Sequence, residues 1–210
     1  MSSNIQLYTW GTPNGRKISI ALEEMGASYD VQSVNILEGE QFSESFTAIS
    51  PSSKIPCIVD PEGMHGQSTS IFESGAILIY LARKFGRFGG SDPASELEIL
   101  QWVMWQMGNV GPVLGQLHHF RKFSKTKVPY AIKRFDNIAD KLYRVLDSRL
   151  ASRNYVVDDY SIADMAIYPW AARFEWQNID LRTYPNVKRW FDMLSERPAV
   201  NTGMRVPFLN

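Results

Sequence analysis

The chain has 210 residues, enough for one large domain or two small ones with a substantial apolar core. Its 22 basic and 22 acidic residues balance, which argues against binding to nucleic acid or to an anionic membrane surface. A single cysteine excludes an internal disulfide and a multi-cysteine metal site. With no leader-like start and no apolar run near the ~20 residues of a membrane span, we expect a soluble cytoplasmic protein.

The first part of the chain alternates strand and helix patterns. Thr12 is the expected N-cap and Pro13 the first residue of a helix that ends at Gly26, because apolar residues recur there at helical spacing. This spacing outweighs the hairpin signal of Asn14-Gly15. Strands are predicted over residues 5–9, 29–34, 55–60 and 66–70, a short helix or turn over 39–46, and a helix over 70–82. The order predicts a parallel first pair and a hairpin, a βαβ–ββα layer.

From about residue 93 the patterns are helical. Residues 85–93 resemble a linker, and an apolar stripe from Leu97 to Met107 predicts a helix that Gly111-Pro112 kinks or breaks. Long helices are predicted over residues 130–150 and from Pro185 to Arg197. A capping box at Ser161–Asp164 predicts the start of an apolar helix that ends near residue 174. We therefore divide the chain into an α/β domain, residues 1–86, and an all-α domain, residues 92–210.

The segment from residue 54 to residue 82 carries the strongest indication of a site. Ile55-Pro56 introduces an apolar strand, and an X-Pro bond is able to adopt the cis form at a functionally shaped turn. Ser70 or Ser74 is a candidate cap for the helix that follows, whose start would suit an anion. The same pattern also fits a well-packed βα unit with no ligand, and the residues alone leave both interpretations open.

Several motifs together resemble the glutathione transferase family. They are Lys54-Ile55-Pro56, Phe72-Glu73-Ser74-Gly75-Ala76-Ile77, Ser161-Ile162-Ala163-Asp164, Thr12-Pro13-Asn14-Gly15, Gly115-Gln116-Leu117-His118-His119-Phe120 and Pro129-Tyr130-Ala131-Ile132-Lys133-Arg134-Phe135. The last three are similar to the nu class, the bacterial glutathione-dependent disulfide-bond reductases, which are related to a fungal prion-forming nitrogen regulator. The resemblance implies a thioredoxin-like N-terminal domain and an all-α helical-bundle C-terminal domain.

The resemblance also implies how glutathione would bind. Glu73 and Ser74 would hold the γ-glutamyl end. The charge of Glu73 would bind its ammonium group, and the Ser74 hydroxyl, together with the helix start, would bind its carboxylate. Ile55, preceding Pro56, would pair its backbone with the cysteinyl part. The positions expected near the glycyl carboxylate are Lys54 and Gln41, and those expected to complete a pocket for a second glutathione are Gln101 and Arg134.

Many members of this family activate the glutathione thiol with a tyrosine, serine or cysteine at the start of the first helix, and none of the three occurs in residues 10–15 of this chain. The resemblance implies that the Thr12 hydroxyl and the Asn14 amide stabilise the thiolate instead, with Tyr8 as the rival candidate. It implies an enzyme, a homodimer that uses glutathione or glutathione disulfide with a small-molecule disulfide or electrophile. No metal is implied.

Other interpretations remain open at this stage. The same thiolate would serve conjugation to electrophiles or peroxide reduction, and the fold would also suit a non-catalytic glutathione-binding or regulatory protein. Cys57 follows Pro56 on an apolar strand and is expected to be an inert core thiol. His118 and His119 should point about 100° apart on a helix, which makes them poor partners for one metal ion and suggests a pocket wall or an interface.

Overall fold

The computed structural model describes residues 4–207, which divide into two compact units. One comprises the described residues up to Arg87 together with those from Arg197 onward, and the other is Phe88–Glu196. The first is α/β and the second is helical, in agreement with the predicted fold class. The outermost parts of the two domains expected from the sequence, residues 1–3 and 208–210, lie outside the described residues.

The α/β unit follows the βαβ–ββα order. Its elements are β1 (Ile5–Thr9), α1 (Pro13–Met25), β2 (Tyr29–Ser33), α2 (Glu44–Ile49), β3 (Cys57–Asp60), β4 (Thr69–Phe72) and α3 (Ser74–Phe85). The sheet order is β2-β1-β3-β4. The parallel pairing of β1 with β2 and the antiparallel pairing of β3 with β4 were predicted, whereas the antiparallel pairing of β1 with β3 was not. The fourth strand begins at Thr69, later than expected, because Gly66 with φ 72° ends a turn there.

The first helix forms where the apolar spacing predicted it, and the hairpin signal of Asn14-Gly15 is overruled. Thr12 has extended backbone angles and caps the helix, and Gly26 ends it in the left-handed conformation. One face of α1 is fully buried, including Ile18 and Leu22, so tertiary packing stabilises the helix over the hairpin.

The helical unit contains α4 (Pro93–Trp105), α5 (Gly111–His118), α6 (Pro129–Leu150), α7 (Ile162–Ala171) and α8 (Pro185–Ser195). A π-helical turn, Gln106–Val110, joins α4 to α5. The irregularity expected at Gly111-Pro112 therefore takes the form of a π turn just before these residues. Val110, Leu117 and Trp170 belong to the buried apolar cluster of this unit.

The Ser161–Asp164 capping box forms as predicted and is completely buried. The Asp164 carboxylate accepts hydrogen bonds from Ser161 N at 3.1 Å, Val156 N at 2.9 Å and Trp190 Nε1 at 2.8 Å. Burial raises the pKa of Asp164 to about 6, while these hydrogen bonds act in the opposite direction. One side chain thus fixes the start of α7, the preceding loop and α8 to one another.

The end of the described chain differs from the sequence-based division, which assigned it to the helical domain. The short helix α9 (Pro198–Gly203) packs on α1 and groups with the α/β unit. The Arg197 guanidinium donates to both carboxylate oxygens of Glu24, and Ser19 Oγ donates to Gly203 O at 2.7 Å. These contacts are long-range, so helical periodicity gave no sign of them.

Candidate functional site

The start of α1 presents two polar side chains beside the end of β1. Thr12 Oγ1 accepts a hydrogen bond from Gly15 N at 3.3 Å, and Pro13 occupies the first helical position. Thr12 and Asn14 are both half-buried, so the surface around them is accessible. A hydroxyl that accepts from the backbone keeps its own hydrogen as a donor. The helix start therefore combines a capping role with the ability to donate to a bound group.

Gly15 sets how closely this helix start approaches β1. A Cβ atom at this position would lie 2.5 Å from Trp10 O and would also collide with Thr9 Oγ1. Thr9 is completely buried, so it has no room to move away. Because Gly15 has no side chain, the helix start is able to pack closely against the end of β1, and this packing positions Thr12 and Asn14.

The loop before β3 contains the cis bond that the sequence allowed. The Ile55–Pro56 peptide is cis, Pro56 is buried and Ile55 is half-buried. Ser50 Oγ donates to Lys54 O at 2.9 Å and braces the loop, while the Lys54 side chain is exposed. Gln41 is half-buried after β2, and its Nε2 lies 3.5 Å from Ile36 O.

The β4–α3 junction differs from the prediction that Ser70 or Ser74 caps the helix. Glu73 occupies the N-cap position and its side chain makes no capping hydrogen bond within the described part of the chain. Ser70 belongs to β4 instead, and Ser74 is already helical. Glu73 has φ 69° and ψ 113°, a conformation that non-glycine residues rarely adopt and that often marks functional sites. The backbone N–H groups at the start of α3 thus lack a cap from Glu73 and suit an anion.

Lys17 is a charged residue of this region that the sequence analysis missed. It lies on the buried face of α1, and its Nζ donates to Ser74 Oγ at 3.1 Å. Burial lowers the pKa of Lys17 to about 7, against the opposing effect of the Glu73 charge. In the sequence, Lys17 stands beside Ile18 and one turn before Ala21, so it interrupts the apolar face of the helix. This interruption is the pattern that would have indicated a buried charge.

Two of the expected residues belong to the helical unit. Gln101 lies on α4 and Arg134 on α6, and both side chains are exposed. Within the α/β unit, the chain brings the start of α1 next to β1 and links α1 to α3 through Lys17 and Ser74.

Cys57 has the surroundings of a core thiol, as expected. It is fully buried, its Sγ donates to Ile49 O at 3.3 Å, and burial raises the pKa of the thiol to about 12. Because the thiolate is the reactive form, this cysteine is unreactive at neutral pH. Tyr8, the rival to Thr12, packs its ring against Phe46 with 6.2 Å between the ring centroids.

The adjacent histidines point in different directions, as expected. His119 is exposed, whereas His118 is buried and stacks on Trp170. His118 Nε2 lies 3.3 Å from Gln177 Nε2, and Gln177 Oε1 accepts a hydrogen bond from the Tyr143 hydroxyl. His118 is therefore part of the interior of the helical unit rather than of a pocket wall or an interface.

The described residues hold neither a metal-binding cluster nor a membrane-spanning helix. Residues 4–207 contain no group of three or more histidine, cysteine, aspartate or glutamate side chains placed to hold a metal ion. Over the same residues, none of the helices has the length and apolar character that crossing a bilayer requires.

Comparison with known proteins agrees with this architecture. The N-terminal domain of glutathione S-transferase matches residues 3–83, and the C-terminal domain of glutathione S-transferase matches residues 112–198. The chain is 43% identical to the disulfide-bond oxidoreductase YfcG of Escherichia coli, over 95% of this chain and 94% of that protein.

Two crystal structures of bacterial glutathione transferases are also similar. The protein from Pseudomonas putida, with one glutathione disulfide bound per subunit, superposes with a TM-score of 0.94 at 40% identity, covering 98% of this chain and 92% of that one. The protein from Burkholderia graminis, with two glutathione molecules bound per subunit, also has a TM-score of 0.94, at 39% identity, covering 99% and 90%. By sequence and by fold, this chain belongs to the glutathione S-transferase family.

Proposed function

We propose that this protein is a glutathione-dependent disulfide-bond reductase in which bound glutathione supplies the reacting thiol. The observation that carries the proposal is the pairing of a hydroxyl on the half-buried Thr12 with a lone cysteine, Cys57, that is buried and has a raised thiol pKa. A protein with this arrangement offers no thiol of its own, but it offers donors to a thiolate. The similarity to YfcG supports the same activity.

The γ-glutamyl end of glutathione is assigned to the start of α3. Glu73 is exposed and supplies a negative charge for the ammonium group of the γ-glutamyl part. The hydroxyl and backbone N–H of Ser74 are suited to the carboxylate of the same part. Ile55 and Pro56 offer backbone for the cysteinyl part, and Lys54 and Gln41 take the glycyl carboxylate. Gln101 and Arg134 are assigned to a second glutathione.

The chemistry requires a thiolate, because a free thiol with a pKa near ~8.5 is mostly protonated at neutral pH. The Thr12 hydroxyl and the Asn14 amide act by donating hydrogen bonds to the sulfur, which favours its ionised form. Glutathione supplies the electrons. Two glutathione thiols become one disulfide while the substrate disulfide becomes two thiols, so no protein cysteine is consumed.

The test compares Thr12→Ala, Asn14→Ala and Cys57→Ala in the reduction of hydroxyethyl disulfide by glutathione. We expect the first two to lose at least about tenfold in kcat/KM, the size of one lost hydrogen bond to a charged group. The Cys57 variant should keep its activity per folded molecule. Loss of activity in Cys57→Ala with full activity in Thr12→Ala would refute the proposal.

The same preparation distinguishes the other activities of the thiolate. Parallel assays with 1-chloro-2,4-dinitrobenzene and cumene hydroperoxide measure conjugation and peroxide reduction. A reductase should give its highest kcat/KM with the disulfide. Highest turnover with the aromatic chloride or with the hydroperoxide would replace the proposal with one of these two activities.

A homodimer in the cytoplasm is part of the same proposal. Leu97, Leu100 and Met104 follow one face of α4 and are 57%, 40% and 47% exposed. An apolar stripe of this kind on a protein surface is typical of an interface. Light scattering at micromolar concentration should give twice the 23.9 kDa of the chain, and Leu100→Glu should give the monomer. A monomeric wild-type protein would refute this part.

A further inference from the structure

Lys17 is a charged side chain for which the proposed chemistry has no role. It is fully buried on α1, where an ammonium group loses its hydration. A methionine of similar volume would fill this space without that cost, and such replacements of buried charges are often neutral or stabilising. Packing alone therefore does not explain a lysine here.

The contact with Ser74 indicates what the ammonium group does. Lys17 Nζ lies 3.1 Å from Ser74 Oγ in a buried hydrogen bond between α1 and α3. An ammonium group only donates hydrogen bonds, so the serine oxygen is the acceptor. The hydroxyl hydrogen of Ser74 is consequently directed to a different acceptor. A carboxylate bound at the start of α3 is an acceptor of this kind.

The charge of Glu73 gives Lys17 a second effect. Glu73 directly precedes Ser74, and its carboxylate would repel any anion that binds at the same helix start. The buried ammonium group of Lys17 offsets this repulsion from the side of the protein interior. The result is a negative and a positive group close together, which is the pattern that complements an α-amino acid, with its ammonium and carboxylate on one carbon.

Another lysine of the same unit shows the alternative role. Lys84 Nζ forms an ion pair with Asp60, whose carboxylate is completely buried and also accepts a hydrogen bond from the Tyr80 hydroxyl. That pair joins the last turn of α3 to the end of β3, whereas Ser74 lies in the first turn of the same helix. Lys84 thus serves as a matched control for a lysine with a structural role.

We infer that Lys17 is a positioning residue, which acts through Ser74 to make the start of α3 specific for the free α-carboxylate of a γ-glutamyl group. This inference rests on the proposed function. Lys17 would then be the buried side chain by which the protein distinguishes γ-glutamyl peptides from otherwise identical peptides without that carboxylate.

The experiment measures calorimetric binding of two ligands, glutathione and its analogue γ-aminobutyryl-cysteinyl-glycine, which lacks only the α-carboxylate. The titrations are made near pH 6, about one unit below the lowered pKa of Lys17, so that most of the lysine carries its charge. Wild-type protein should bind glutathione more tightly. Lys17→Met should weaken glutathione binding about tenfold and leave the analogue within about twofold. Lys17→Gln provides the same comparison if the methionine variant fails to fold, and Lys17→Arg should recover part of the difference.

Two controls complete the experiment. Ser74→Ala should show the same selective loss, and adding it to Lys17→Met should cause little further change because the two residues act in series. Lys84→Met should lower the melting temperature but keep the preference for glutathione. Equal losses for both ligands in Lys17→Met, or no loss for either, would overturn the inference. Wild-type protein that binds neither ligand would overturn the proposed function as well, which makes the two failures distinguishable.

Discussion

The first turns of α1 and α7 are both capped by a hydroxyl side chain, Thr12 in one helix and Ser161 in the other. Their surroundings differ. Ser161 and the Asp164 beside it are buried, and Asp164 accepts from three N–H donors. Thr12 is half-buried, and Asn14 beside it is also half-buried. A buried cap with all its acceptors in use serves the fold, whereas an accessible cap remains able to bind a ligand.

The largest expected effect comes from the buried cap. Asp164→Ala should lower the free energy of unfolding by about 3 kcal/mol, because it leaves buried N–H groups without an acceptor. Urea denaturation measures this loss. Asp158→Ala is the matched control. Asp158 is 86% exposed and lies 3.7 Å from Arg153, so its removal should change stability by less than about 1 kcal/mol. A stability loss in Asp164→Ala no larger than in this control would contradict the structural role of the cap.

A smaller effect is expected from Gly15, which holds the accessible cap in place. Gly15→Ala forces a methyl group against Trp10 O and should cost about 1–3 kcal/mol of stability, with a fall in reductase activity as the helix start moves. Gly108→Ala meets no atom within 4 Å and should be neutral or slightly stabilising. Thermal denaturation and hydroxyethyl disulfide assays of both variants test the difference. Unchanged stability in Gly15→Ala would contradict the close approach, and full activity would contradict its role in positioning Thr12.

Thr12→Asp separates capping from catalysis. Aspartate is at least as good an N-cap as threonine, so stability should stay within about 0.5 kcal/mol of wild type. Its negative charge would face the thiolate and raise the thiol pKa, so kcat/KM should fall at least about tenfold. Thr12→Ser, which keeps both the cap and the hydroxyl, is the control and should keep both properties. An active Thr12→Asp protein would show that Thr12 is only a cap.

The smallest expected effect is the fall in stability at acid pH that His118 causes in the interior of the helical unit. Burial, together with the charges of Arg173 and Lys122, lowers the pKa of His118 to about 4, below its ordinary value of 6.5. Between these two values the unfolded chain binds a proton that the folded chain does not, so stability falls as the pH falls. At pH 5.5 the loss should be about 1 kcal/mol. His118→Phe should flatten this part of the curve of unfolding free energy against pH, and an unchanged slope would contradict the assignment.

Local patterns in the sequence were sufficient for much of this protein. Pro13, Thr12 and Gly26 marked the limits of α1, and Ser161 with Asp164 marked the start of α7, because capping involves residues three or four positions apart. The order of the elements predicted the β1–β2 and β3–β4 pairs but not the β1–β3 pair that joins them, and the resemblance in motifs indicated the family.

Only the tertiary structure decided the features that depend on distant residues. The burial of Lys17 against Ser74, 57 positions away, and the packing of the segment from Arg197 onto α1 result from contacts that no local periodicity encodes. The N-cap position at Glu73, where a serine was expected, was decided by how the chain leaves β4. Helix limits follow from short-range hydrogen bonds, which sequence spacing specifies, whereas the electrostatics of the site follow from packing, which brings charges together across the fold.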